Sequence, residues 1–152
     1  MSTPYSKVFS SYLSKITDYS YVHLNQDVLE DDLLNLLNSA IIEFEYPKVD
    51  IRDKDDVSKI FNTTLNVDEI EILAYLMIDR WMDSQIYNLN LFKQRFSNKD
   101  FQFTSQANHL DSLSENQAKL RVKISTLKKK YSYRKMGTYY NIADFSGLSS
   151  GD

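Results

Sequence analysis

The stretch 66–81, NVDEIEILAYLMIDRW, decides how this chain folds. Asn66 and Glu69 stand at its head, three residues apart, the spacing at which an N-cap side chain and a glutamate satisfy each other's backbone N–H groups. Behind them Ile70, Leu73, Ala74, Met77, Ile78 and Trp81 recur at intervals of three and four, which places them on one helical face. Ile72, Tyr75 and Leu76 widen that face, so this helix is expected at the centre of the domain.

Three further helical patterns lie on either side. After Pro4, the residues Val8, Phe9, Tyr12, Leu13 and Ile16 form one amphipathic stripe. Asp27 is expected to cap a second helix, in which Leu29, Leu33, Leu36, Leu37, Ala40, Ile41 and Phe44 repeat until Pro47 stops it. A Ser105 N-cap is expected to open the last and longest, whose seam Leu110, Leu113, Gln117, Leu120, Ile124, Leu127 and Tyr131 follows alternating steps of three and four. That heptad pattern predicts about 26 helical residues, roughly 39 Å, packed along a neighbour in the same chain or in another copy.

The connections are less regular. Between Pro47 and Asn66 the chain is polar and reads as a connector, with one or two helical turns over Asp55–Phe61. Arg95–Ser105, RFSNKDFQFTS, separates its aromatic residues by polar ones and reads as a loop or short β-hairpin. No apolar run shows the sustained alternation of a half-buried strand. The expected fold is all-α: a small bundle of about four main helices, a loop or short hairpin before the long last helix, and an extended C-terminal arm. A length of 152 residues suits one helical domain, 1–135, followed by the arm 136–152.

Composition narrows the function classes. With no cysteine there is neither a disulfide framework nor a thiolate metal site. His23 and His109 have no carboxylate or second histidine at ligand spacing, and the run Asp50, Asp53, Asp55, Asp56 lacks the turn glycine and closing glutamate of a calcium loop. Glu43 and Glu45 point to different sides of a helix, no glycine-rich phosphate loop exists, and no serine sits in a nucleophile elbow. The reading is a protein that is not an enzyme, with no catalytic residue, metal ligand or cofactor. The amino-terminal sequence has no basic region followed by an apolar run, and no segment is apolar enough to span a bilayer, so a soluble protein made in a cytoplasm is expected.

Charge is distributed unevenly. Asp18 to Asp83 holds sixteen acids against five bases, whereas Lys119 to Lys135 holds eight bases and no acid. Such polarity suits the acidic face of one copy meeting the basic face of another, or a basic end meeting phosphate. Lysines also complement a helix C-terminus. The interleaved Tyr131 and Tyr133 keep nucleic acid in view as a ligand, through stacking and phosphate contact. All three glycines fall in the last sixteen residues, among Tyr139, Tyr140, Ile142, Phe145 and Leu148. Disordered tails are usually poor in aromatic residues, which argues that this one lies along a partner's surface.

The helix EIEILAYLMIDRWMDSQI, the excursion ending FQFTSQANHL and the long charged last helix together resemble the head-to-tail connector adaptor proteins of tailed phages, also called neck or head-completion proteins. The likeness spans roughly Val8 to Tyr133, and its most specific piece is FTSQANHL, Phe103 to Leu110. It implies a structural subunit of the virion neck, made in the bacterial host cytoplasm and assembled as a ring of typically twelve copies on the portal protein. Such a ring surrounds passing DNA without sequence-specific contact and offers a platform to the next neck or tail-completion protein. It also implies that Tyr139, Tyr140, Ile142, Phe145 and Leu148 dock the arm on the portal. Lys128, Lys129, Lys130, Arg134, Phe101 and Phe103 become candidates for contact between subunits. The alternative expectation is a regulatory helical protein that binds nucleic acid through its basic last helix.

Overall fold

The computed structural model describes residues 1–16, 26–95 and 103–140; for 92, 93, 95, 103–107 and 135–140 the description is of the backbone. It contains helices α1 (Tyr5–Leu13), α2 (Gln26–Glu43), α3 (Val67–Arg95) and α4 (Phe103–Tyr140), with three two-residue strands, β1 (Thr3–Pro4), β2 (Lys54–Asp55) and β3 (Ile60–Phe61).

Helix α3 is the hub, in contact with each of the other three helices. Its middle turns explain why: Ile72, Leu73, Ala74, Leu76, Met77 and Ile78 are all buried, so apolar side chains leave it in several directions and need more than one neighbour to cover them. Val8 and Tyr12 of α1, Leu33, Leu37 and Ala40 of α2, and Ile124 and Tyr131 of α4 complete one continuous core. The capping pair forms as the spacing predicts: the Glu69 N–H donates to Asn66 Oδ1 at 2.9 Å, and the Asn66 N–H donates to Glu69 Oε2 at 2.8 Å.

The chain is mostly helical, with four helices as expected, and adds a small antiparallel sheet, ordered β1-β3-β2. Thr3 pairs with Phe61, and Phe61 in turn pairs with Lys54. The stretch expected to form helical turns, Asp55–Phe61, is a β-hairpin instead. Asp55 Oδ1 accepts the N–H groups of Val57 and Ser58, an arrangement that bends the chain back on itself, and Lys59 completes the bend with φ of 54°. The amino terminus supplies the third strand. It is held by the Tyr5 N–H donating to the Lys59 carbonyl at 2.9 Å and by Leu65 N–H donating to the buried Thr3 hydroxyl oxygen at 2.9 Å. Tyr5 fixes this corner to the core, with its ring edge-on to Phe61 at 4.9 Å and its hydroxyl donating to Asp56 at 2.7 Å.

Two boundaries also move. Helix α4 has 38 residues rather than about 26 and begins at Phe103, so the end of the expected 95–105 hairpin is already helical. Its far end passes Lys135 and Gly137 to Tyr140, which carries the helix into the stretch expected to be an extended arm. The heptad seam packs within the chain, against α3 and the core.

Candidate functional site

The basic helix was the strongest charge signal in the sequence, and three of its bases, Lys119, Arg121 and Arg134, pair with acids of the same molecule. Arg121 bridges Asp79 at 2.9 Å and Asp83 at 3.0 Å, and its guanidinium pKa is raised chiefly by the hydrogen bond to Asp79. Gln117, the polar member of the seam, donates to the same Asp83 at 2.6 Å. A polar residue in an apolar seam fixes register at some expense of stability, and here that register is the one that sets Arg121 beside two α3 carboxylates. Lys123 donates to the Tyr75 hydroxyl oxygen at 2.6 Å and lies 4.3 Å from that ring's centre.

Of the residues expected at a subunit contact, two are engaged inside the chain. Lys128 donates to the Glu43 carbonyl at 2.8 Å at the C-terminal end of α2, and Arg134 pairs with Asp68 in the first turn of α3. These contacts within the chain have a common cause. The acids of α2 and α3 and the bases of α4 are far apart in sequence but adjacent once α4 lies down on α3. Lys129 and Lys130 are exposed and form no ion pair among the described residues. Phe101 lies outside the described residues, as do Ile142, Phe145 and Leu148. Phe103, Tyr139 and Tyr140 are placed by backbone only, within α4.

Tyr131 holds the last core position of α4 and joins three elements. Its hydroxyl donates to Glu69 Oε1 at 2.6 Å and accepts the Lys48 N–H at 2.5 Å. Glu69 is fully buried, so its carboxylate depends on Tyr131 and on the Asn66 N–H for its solvation. Burial, and then the hydrogen bond to Glu69, push the Tyr131 hydroxyl well above its ordinary pKa. Lys48 Nζ lies 4.8 Å from the centre of the Tyr131 ring, and Phe44 meets that ring edge-on at 5.6 Å.

The bend just before Lys48 was not foreseen. Helix α2 ends at Glu43, and Tyr46 turns the chain with φ of 57°, in the left-handed region. For a residue with a Cβ this conformation costs about 1–3 kcal/mol. The Tyr46 side chain nevertheless stands 80% exposed. Across from it Tyr133 is 69% exposed, and the two flank an open groove of about 570 Å³ whose floor includes Ile124 and whose wall is Lys128 and Lys129. No signal in the sequence points to it, since a proline favours an extended residue before it rather than a left-handed one.

The surface at the other end of α2 is opposite in sign. Asp27, Val28, Asp31 and Asp32 are exposed along one side of its first turns, and Lys59, paired with Glu30, is the base beside them. A second groove, of about 590 Å³, runs from Asp32 past Trp81 to Tyr87, the last 64% exposed.

Among the described residues no group of three or more His, Asp or Glu could hold a metal ion, and no helix is long and apolar enough to cross a membrane. The grooves are shallow and open. No protein-family model, curated protein or solved structure matches the chain.

Proposed function

We propose that this protein is a structural subunit of a phage head-to-tail connector, an adaptor that forms a ring on the portal and carries the next component of the neck. The observation that carries the reading is the division of α4. Its last core side chain among the described residues is Tyr131, and the helix backbone then continues to Tyr140 without a break. A helical body with its own core is thus followed by further helix and by a dozen residues that include Ile142, Phe145 and Leu148 and carry two acids and no base. That is the layout of a body that packs beside its like and an arm that docks elsewhere.

Removal of Lys135–Asp152 tests the proposal, because the cut spares every described core residue. The truncated protein is expected to fold and to lose its binding to portal, measured as the mass of the complex formed with purified portal protein. Undiminished binding by the truncated form overturns the role of the arm.

Exposed Lys129 and Lys130 beside Tyr133 favour the rival reading, a nucleic-acid-binding helix. Binding to phosphate releases counterions, so affinity for DNA would fall steeply with salt. The internal ion pairs of Arg121 and Arg134 take two of the helix's bases away from that contact. The connector reading expects weak DNA binding that does not depend on the arm.

A further inference from the structure

We infer that the groove between Tyr46 and Tyr133 is the seat for a second copy of this chain, whose acidic first turns of α2 lie in it with Val28 against the two rings. The inference deepens the connector reading and rests on it, naming the surfaces through which copies meet.

Three observations converge on this pairing. The first is Tyr46, which keeps an aromatic ring in water while its backbone adopts a conformation better suited to glycine. None of the described residues covers that ring, and strained residues with exposed functional groups are characteristic of binding sites. The second is charge. Lys129 and Lys130 are unpaired among the described residues, whereas Asp27 and Asp31 lie near Lys59, already bonded to Glu30, and Asp32 is exposed next to them in sequence. Complementarity to the helix dipole accounts for Asp27 in the first turn and for Lys128 at the end of α2. It does not account for Lys129 at the groove or exposed Lys130 next to it in sequence, nor for Asp32 beyond the first turn.

The third observation is placement. Lys128 is bonded to Glu43, so the basic groove sits at the C-terminal end of α2, about 18 Å along the helix from Asp31. The two surfaces belong to opposite ends of one helix, and neither can meet its own counterpart. When the two surfaces engage different neighbours the contact is head-to-tail, and it continues as a chain, or as a ring when the rotation permits. Val28 supplies the apolar centre, with carboxylates around it and lysines around the rings as a polar rim.

The test is a charge exchange, followed by mass photometry and sedimentation at low ionic strength. Lys129→Glu with Lys130→Glu makes both surfaces acidic, and Asp31→Lys with Asp32→Lys makes both basic. All four residues are exposed, so thermal melts of the variants should match the parent. Each variant alone is expected to associate at least about tenfold more weakly than the parent, because like charges then face each other. An equimolar mixture of the two should recover assembly, since every contact in an alternating chain is again complementary. Tyr46→Gly separates contact from structure: it relaxes the backbone, so the melting temperature holds or rises, while association falls.

Assembly that persists in either charge variant, a mixture that stays monomeric, or a parent protein that remains monomeric up to about millimolar concentration overturns the inference. Portal binding by the same proteins is read separately. If it survives in those cases, the groove assignment fails and the connector reading stands; if it is absent from the parent, the connector reading fails.

Discussion

Tyr131 shows how much one side chain can hold. Its hydroxyl satisfies a buried carboxylate on α3 and a backbone N–H just after α2, so Tyr131→Phe leaves both short of a partner while keeping the ring. Each lost partner in a buried setting costs about 1–3 kcal/mol, and urea denaturation should show at least that loss, with an unchanged slope. Tyr131 and Tyr5 also make a prediction about pH. Burial is the main cause that raises both hydroxyls above the ordinary tyrosine value, aided by Glu69 in one case and Asp56 in the other. A raised pKa in the folded state means that their stabilisation is complete below about pH 10, the unfolded value, and is lost as pH climbs toward the folded one. Alkaline titration followed by tyrosinate absorbance should show that Tyr5 and Tyr131 are among the tyrosines that ionise only as the fold opens, detected in parallel by circular dichroism. Ionisation of all eleven tyrosines before the helical signal falls would contradict the described burial.

At the scale of elements, the helices were legible and the sheet was not. Periodicity marks a helix because many residues repeat one relation to a single core, as Leu33, Leu37, Ala40 and Ile41 do along α2. Strands of two residues cannot show alternation, and β1 pairs with a partner more than fifty positions away. The turn chemistry of Asp55 was visible, but a helical turn can use an aspartate in the same way. The capping pair was legible because both halves of its geometry are local. Asn66→Ala should therefore lower stability by about 0.5–2 kcal/mol, read from chemical denaturation, with α3 still formed because its core contacts remain. The site was legible in outline only. The sequence marked the basic end of α4, yet which bases are neutralised depends on α3 lying alongside, and Tyr46 announces itself only once its backbone angle and exposure are known together.

For the whole molecule, α3 is the part on which every other helix depends, and no described core residue lies beyond Tyr131. Deleting Lys135–Asp152 removes none of the described core, so the melting temperature should change by no more than a few degrees; a large drop would mean that those residues cover the body. The link through Tyr131 has a mechanical meaning as well. A pull at the far end of α4 travels down a continuous rod and arrives at an anchor bolted simultaneously to the head of α3 and the exit of α2. Force is thus divided between two parts of the body rather than peeling one away.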